Sequence, residues 1–428
     1  MNLMMQILKD LVPLNRVMCS SDYDKTIDYL QEILPFEVIP IPASEEYNGW
    51  VIPPKWDVKE AKIIKNGKVI YDGKWHPLAV IALSSSFYGR VSLEELKGHL
   101  HYDHRYDDSL TFHFRQQFRS WSRDWGLCVP KSFYDSLTEG EYEVIIETEE
   151  DDGVLKILEY THQGTLDESI AVCANLDHPG VANDGLAGVV VGIELMRRLA
   201  GKRTKFTYKL VLVQGIIGSE YYLGKGRKEQ RENFLECLCL WMLGSRTQLA
   251  LQKSRGGRSI IEYGVARVMA DLCIPHRCGE FESIIINDEY IWEAYGIPTC
   301  SLSRVPYPEY HSSRDNFSII SEAALAEAVE IMDGTVEFLE SSELVYKKFE
   351  GNICLSNPRY NLYIDPGQIS FGEKQTDEAR KMRLLMDLIP TLQRPVTMRN
   401  LSETVCLEEH KVSDYLAKWA AMGLIEIK

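Results

Sequence analysis

Two short stretches hold residue types that could do chemistry together. Asp177-His178-Pro179-Gly180 is followed by Ala182-Asn183-Asp184-Gly185-Leu186-Ala187-Gly188, and far downstream stands Glu309-Tyr310-His311-Ser312-Ser313-Arg314-Asp315-Asn316. Carboxylates and imidazoles placed in polar turns are the ligands a divalent cation takes. Asp184, in a small-residue turn before an apolar run, suits a metal ligand, and it equally suits the N-cap of the helix that follows. His311 has Asp315 four residues on, a carboxylate of the kind that fixes the tautomer of a metal-bound imidazole. Asp288 and Glu289, after the apolar run ESIIIN, offer further oxygens for a ligand or a substrate.

These residues need a scaffold, and the hydrophobic pattern supplies one. From about 161 to 345, SIAVCANL, FTYKLVLVQG, ECLCLWML, ESIIIN and TCSLS read as strands with nearly continuous apolar runs. LAGVVVGIELMRRL and Glu322 to Leu339 read as helices between or after them. Such strands separated by helices predict a mostly parallel sheet covered on both faces. Ligands in such folds sit beyond the carboxyl ends of the strands, which is where the candidate residues fall.

Around this core three other segments differ in pattern. Residues 1–55 open with an amphipathic helix from Tyr23 to Ile33 and continue as an extended Pro-rich stretch. Residues 56–160 show short alternating runs (KIIKNGKVIYDG, LAVIALSS, EYEVIIETEEDDG, VLKILEYTHQG) with NG and DG hairpin signals, which predict a small β-rich domain. Within it, the acidic stretch Glu139 to Asp152 reads as a solvated edge and turn. Residues 373–428 carry three short helical patterns and a terminal strand after a Gly, a winged-helix signature. The α/β core accordingly occupies 161–372.

Several motifs in order carry a family resemblance: HPxxANDxLAG, then GIIGS, then NDE with GIP downstream, then EYHSSRDN. The chain resembles the superfamily of dinuclear zinc aminopeptidases and glutamate-carboxypeptidase-type hydrolases. It is closer still to the bacterial aminopeptidase-like proteins associated with polysaccharide biosynthesis, which have an inserted β-domain and a C-terminal winged helix. LKDLVPLNR near the N-terminus and SRDWGLCVP (Ser122 to Pro130) extend the match over essentially the full length. The resemblance implies a zinc-aminopeptidase-like mixed, mostly parallel sheet sandwiched by helices. It assigns Asp184 to the metal-bridging Asp, His311 to the terminal zinc His, and Asp177 to the catalytic-site Asp that orients a ligand. His178 matches a second His of the nearer relatives.

The chain also departs from that pattern. The superfamily's first zinc His falls on Asn175, its Glu pair falls on Leu210 to Gly215, and its remaining zinc carboxylate falls on Met242 to Ser245. With Asp184, His311 and His178 as ligands, and Asp288 or Glu289 nearby, one zinc ion is expected at most, and the general base of the family is missing. The sequence therefore supports two readings. One is a single-metal amide or peptide hydrolase. The other is a catalytically degraded relative that binds a peptide-like or amide-containing small ligand, with the winged helix docking a protein partner or a second copy.

Composition bounds the remaining functions. Across 428 residues, 47 Lys and Arg face 63 Asp and Glu, a net charge of -16. An acidic chain is a poor general binder of nucleic acid or anionic membrane. The winged-helix segment is neutral, and its candidate recognition helix begins with Glu408 and Glu409, so DNA is not the expected partner. No run of about 18 apolar residues predicts a membrane span. The N-terminus lacks a signal-peptide pattern, and the ten cysteines lack a framework, so a cytoplasmic protein with free thiols is expected. The cluster His99, His101 and His104 lies in the β-rich segment and reads as polar side chains facing solvent rather than as a metal site.

Overall fold

A computed structural model describes residues 2–257, 259–365 and 376–428. The chain divides into two compact units, Met1–Gly257 with Met269–Asp333, and Arg258–Val268 with Gly334–Lys428. The expected boundary at 372/373 lies outside the described residues.

An eight-stranded sheet organises the first unit. In chain order its strands are β1 (Glu37–Pro42), β2 (Val154–His162), β3 (Ser169–Asn175), β4 (Thr207–Val213), β5 (Phe234–Trp241), β6 (Leu249–Gln252), β7 (His276–Gly279) and β8 (Thr299–Ser303). Their spatial order is β1-β2-β4-β3-β5-β8-β6-β7. The four central strands β4, β3, β5 and β8 run parallel. Antiparallel strands flank them on both sides. Every residue of β3, β4 and β8 is buried, which is why they read as continuous apolar runs rather than alternating ones.

One face of this sheet receives the helix Leu186–Leu199, whose glycines set the packing distance. A Cβ on Gly192 would stand 2.6 Å from a Leu210 methyl, and one on Gly188 only 2.0 Å from the Leu240 carbonyl oxygen. The other face buries Cys173, Val211, Val213, Cys239 and Trp241 against Ile217, Tyr221, Ile291 and Trp292. Because β3, β4, β5 and β8 are parallel, their carboxyl ends share one edge. The loops 176–185, 214–216, 242–245 and 304–316 all leave from it.

A four-stranded antiparallel sheet is inserted between β1 and β2. It is ordered Lys68–Asp72, Lys55–Lys65, Glu141–Asp151, Phe87–Ser92. The first two strands form the expected hairpin, with Asn66 and Gly67 both at positive φ, 51° and 71°. Three expectations need correction here. The acidic strand Glu141–Asp151 is interior, paired on both sides, and keeps its acids on the solvent face while Tyr142, Val144 and Ile146 enter the core. Residues 154–160, assigned by sequence to the insert, belong to β2, where the strand Val154–His162 fills the gap between β1 and β4. LAVIALSS is a buried turn of 3-10 helix (Pro77–Ala79) and irregular chain rather than a strand.

ESIIIN is likewise not a strand. Glu282 sits at φ 60°, and the Ile284 and Ile285 amides are satisfied by Gln252 Oε1 at 2.9 and 3.0 Å, so no ladder is needed. The sheet edge is the short strand β7 instead.

In the second unit the strands Val396–Thr397, Leu344–Lys347 and Ile425–Ile427 form an antiparallel sheet, the middle one coming from sequence assigned to the α/β core. The helices Asp377–Leu388, Met398–Val405 and Glu409–Ala421 close over Val345, Leu385, Val412, Leu416 and Trp419. Gly423, at φ 68°, turns the chain from the last helix into the terminal strand. Among the described residues no helix is long and apolar enough to cross a membrane.

Glu289 is part of this framework. It is buried beside β5 and accepts a hydrogen bond from Trp241 Nε1 at 2.8 Å. Burial pushes its carboxyl up to about 7, against the pull of the neighbouring Ser301 hydroxyl and the Trp241 indole.

Two outcomes are expected. Gly188→Ala forces the helix off the Leu240 carbonyl and should lower the unfolding free energy by at least about 1–3 kcal/mol in a urea titration. Glu289 binds its proton more tightly folded than unfolded, so its contribution is full below the ordinary carboxylate range and is lost as pH rises through about 7. Glu289→Gln should therefore show a smaller fall in melting temperature between pH 4.5 and pH 7.5 than the unaltered protein; an equal fall would rule the linkage out.

Candidate metal centre

At the common carboxyl edge of β3, β4, β5 and β8, ligand atoms of His178, Asp184 and His311 all lie within 4.8 Å of one another. The Asp184 Oδ2 atom is 3.1 Å from His311 Nε2 and 3.6 Å from His178 Nε2. Despite that proximity, it is buried and has no hydrogen bond of acceptable geometry. Asp184 does not cap the helix behind it, whose N-cap is Gly185, with no side-chain hydrogen bond. Burial alone would raise the Asp184 carboxyl, but the charges of His178 and His311 outweigh it and hold it below the usual range. Burial would likewise lower His178, yet Asp184 and Asp177 beside it push it up to about 9. Two imidazoles and a carboxylate, converging with an unsatisfied buried oxygen between them, fit a zinc ion by donor set.

Each donor is held from behind. Asp177 Oδ1 lies 3.3 Å from His178 Nδ1 and accepts from the Gly215 amide at 3.0 Å. The fully buried Arg16 donates to the carbonyls of Leu11, His178 and Val181, which fastens the turn after β3. Asp315 does not reach His311. Its Oδ1 accepts from the Asn183 and Ala182 amides at 2.7 and 3.2 Å, and its Oδ2 from the Asp184 amide at 3.0 Å and the Tyr307 hydroxyl at 2.7 Å. Burial pushes Asp315 up to about 6, further than the Asn183 amide pulls it back.

Asp288 stands apart from the three donors. Its Oδ1 accepts from the Ile216 amide at 3.0 Å and its Oδ2 from Asn175 Nδ2 at 3.1 Å. Burial pushes it up to about 6. The Ile216 backbone it supports is unusual for a β-branched residue, with φ 56° and ψ -64°, closed by a hydrogen bond from the Ile217 amide to the Gly215 carbonyl at 2.7 Å. Glu289 points into the sheet packing described above. Of the carboxylates the sequence put forward, the structure brings Asp177 and Asp184 to the histidines, uses Asp315 to support Asp184, and turns Asp288 and Glu289 elsewhere.

A cavity of about 130 Å³ opens over the centre, lined by Asn175, Asp177, His178, Asp184 and His311 and walled by aromatic side chains. Phe112 meets both imidazoles edge-on, 5.5 Å from His178 and 5.4 Å from His311. Phe114 meets His311 at 5.2 Å, and Tyr310 stacks on it at 3.9 Å with planes 19° apart. Phe112, Phe114 and Gln117 come from the inserted β-domain, about 200 residues from His311 in sequence. Beyond the FHF alternation at 112–114, neither these residues nor Arg16 carry a local signal in the sequence, because their partners lie far along the chain.

The comparisons agree with this fold. Residues 5–342 match the family model described as "Domain of unknown function (DUF4910)". A Clostridium acetobutylicum protein named for polysaccharide biosynthesis with an aminopeptidase-like domain is 26% identical over 330 residues, 75% of this chain and 74% of that protein. A crystal structure from the same organism, described as a peptidase, gives a TM-score of 0.76 at 20% identity over 99% of this chain and 96% of its own. A zinc aminopeptidase from Bacillus subtilis gives 0.61 at 12% identity over 78% of this chain and 94% of its own. The architecture is thus the mixed α/β fold of the zinc aminopeptidases. With the matched region spanning most of its length, the chain belongs to the DUF4910 family.

Proposed function

We propose that this protein holds a single zinc ion through His178, Asp184 and His311 and uses it to bind a peptide-like or amide-containing small ligand. The observation that carries this reading is the buried, unsatisfied Asp184 Oδ2 between two imidazoles. When bound, the metal would supply a Lewis acid for a carbonyl of the ligand. The chain's own residues do the rest. Asp177 orients the His178 ring, Asp315 and Tyr307 fix the backbone of the Asp184 turn, and Phe112, Phe114 and Tyr310 keep water away from one side of the cavity.

A base for hydrolysis is harder to find. A general base must come within hydrogen-bond reach of the proton it removes. The nearby acids have other partners: Asp177 the Gly215 amide, Asp288 the Ile216 amide, Asp315 a run of three amides, and Glu220 the side chains of Asn48 and Tyr295. This favours ligand binding with at most slow amide hydrolysis over the turnover of a dinuclear hydrolase. Structural relatives described as aminopeptidases, one of them as a zinc aminopeptidase, support the class of ligand. For the C-terminal unit we favour a winged helix that docks protein, since Glu408 and Glu409 begin its last helix and would repel phosphates.

Metal analysis of the purified protein should find one zinc per chain, and His311→Ala should lose it; two tightly held zinc ions would overturn the single-site reading. With zinc saturating, leucyl and glutamyl amide substrates should turn over slowly or not at all, and rapid cleavage would restore the hydrolase. Random duplex DNA should show no salt-sensitive mobility shift with the full chain, whereas a shift that weakens steeply with salt would make the C-terminal unit a DNA reader.

A further inference from the structure

The loop that delivers His311 is tied to the inserted β-domain from Pro308 to Ser313. Arg105 donates from Nη1 to the Pro308 carbonyl at 3.0 Å and from Nη2 to the Tyr310 carbonyl at 2.7 Å. Its guanidinium is aimed by Asp103, a buried carboxylate that accepts from Nε at 2.9 Å and from Nη2 at 2.7 Å. The Tyr106 hydroxyl adds a bond to the Pro308 carbonyl at 3.1 Å. On the other side of His311, the Phe112 amide donates to the His311 carbonyl at 3.0 Å, and the Ser313 amide to the Leu110 carbonyl at 2.9 Å.

His311 itself sits at φ 54°, in the left-handed region that a residue with a Cβ enters only when its surroundings enforce it. Among the described residues its ring approaches only Asp184 Oδ2, at 3.1 Å and without a formed hydrogen bond, and Asp315, its expected partner, faces the Asp184 turn instead. Besides the packing of its ring, the conformation is held through the backbone, where the insert bonds the carbonyls of Pro308, Tyr310 and His311.

Resting on the single-zinc reading, we propose that Arg105 is a positioning residue of the metal centre, acting through the backbone of the His311 loop. In this role the insert is part of the site, presetting the geometry of its most distant ligand. Arginine is required for this geometry: its fork spans a carboxylate while two further N–H groups reach two carbonyls, which an ammonium cannot do at once. The Arg105 side chain is 45% exposed, so its removal opens no core.

The test is the zinc affinity of the folded full-length protein, measured by competition with a chelating dye well below the melting temperature. Arg105→Ala should weaken zinc roughly 10- to 100-fold, as loss of a group supporting a ligand does. Arg105→Lys should recover part of that loss, and Arg90→Ala, which removes an exposed pair with Glu141, should change nothing. Equal affinities for Arg105→Ala and the unaltered protein would overturn the proposal while leaving the zinc site standing. If the unaltered protein binds no zinc, both readings fall together. Should Arg105→Ala fail to fold, Tyr106→Phe removes one hydrogen bond to the same carbonyl and should still weaken zinc several-fold; unchanged affinity there would count against the clamp.

Discussion

Everything around the centre follows from one unsatisfied atom, the buried Oδ2 of Asp184. A carboxylate taken out of water costs several kcal/mol unless charges or hydrogen bonds replace its hydration. Here the imidazoles of His178 and His311 stand beside it in place of water, without a formed hydrogen bond from either. Such an arrangement persists only if the chain on all sides is over-determined. The Asp184 turn is therefore stitched by Asp315 through three consecutive amides, and the His178 turn by the buried guanidinium of Arg16. The sheet contributes the common edge from which these turns leave, and Gly188 lets the following helix sit close enough to aim them.

The large elements were legible in the sequence because their signals are local. The helix Leu186–Leu199 announces itself by its apolar run, and β3, β4, β5 and β8 by near-continuous burial. Asp177, His178, Asp184 and His311 stood out because each follows a strand end in a polar turn. The misreadings share a physical cause, which is that a residue's partner can be far away in sequence. ESIIIN has strand composition, yet Gln252 satisfies its amides as a side chain. The pairing of Val154–His162 with the large sheet rather than the insert depends on β1 and β4, neither adjacent to it in sequence.

The insert illustrates the same limit. Its hairpin chemistry at Asn66-Gly67 can be read directly, but nothing in the alternation of residues 100–118 says that they will meet a loop about 200 residues downstream. Phe112 joins the two ends of the site physically, since its ring touches both imidazoles while its amide holds the His311 carbonyl. A domain that looks detachable by composition is therefore bonded into the wall of the cavity.

Four buried aspartates crowd this edge of the sheet, and their hydrogen bonds sort them by role. Asp177 accepts from the Gly215 amide, Asp288 from the Ile216 amide and Asn175, and Asp315 from three amides and a tyrosine hydroxyl. Each of these is committed to holding backbone, and a carboxylate so engaged is poorly placed to bind a cation or to take a proton from a ligand. Asp184 alone of the four presents an oxygen with histidines around it and no N–H or O–H bonded to it. Counting acids in the sequence overstates the acids available for chemistry, because in a buried site most of them serve the fold. Asn175 fits the same logic. Standing where the resemblance expects a zinc histidine, it gives its amide to Asp288 and so converts a ligand position into a structural hydrogen bond.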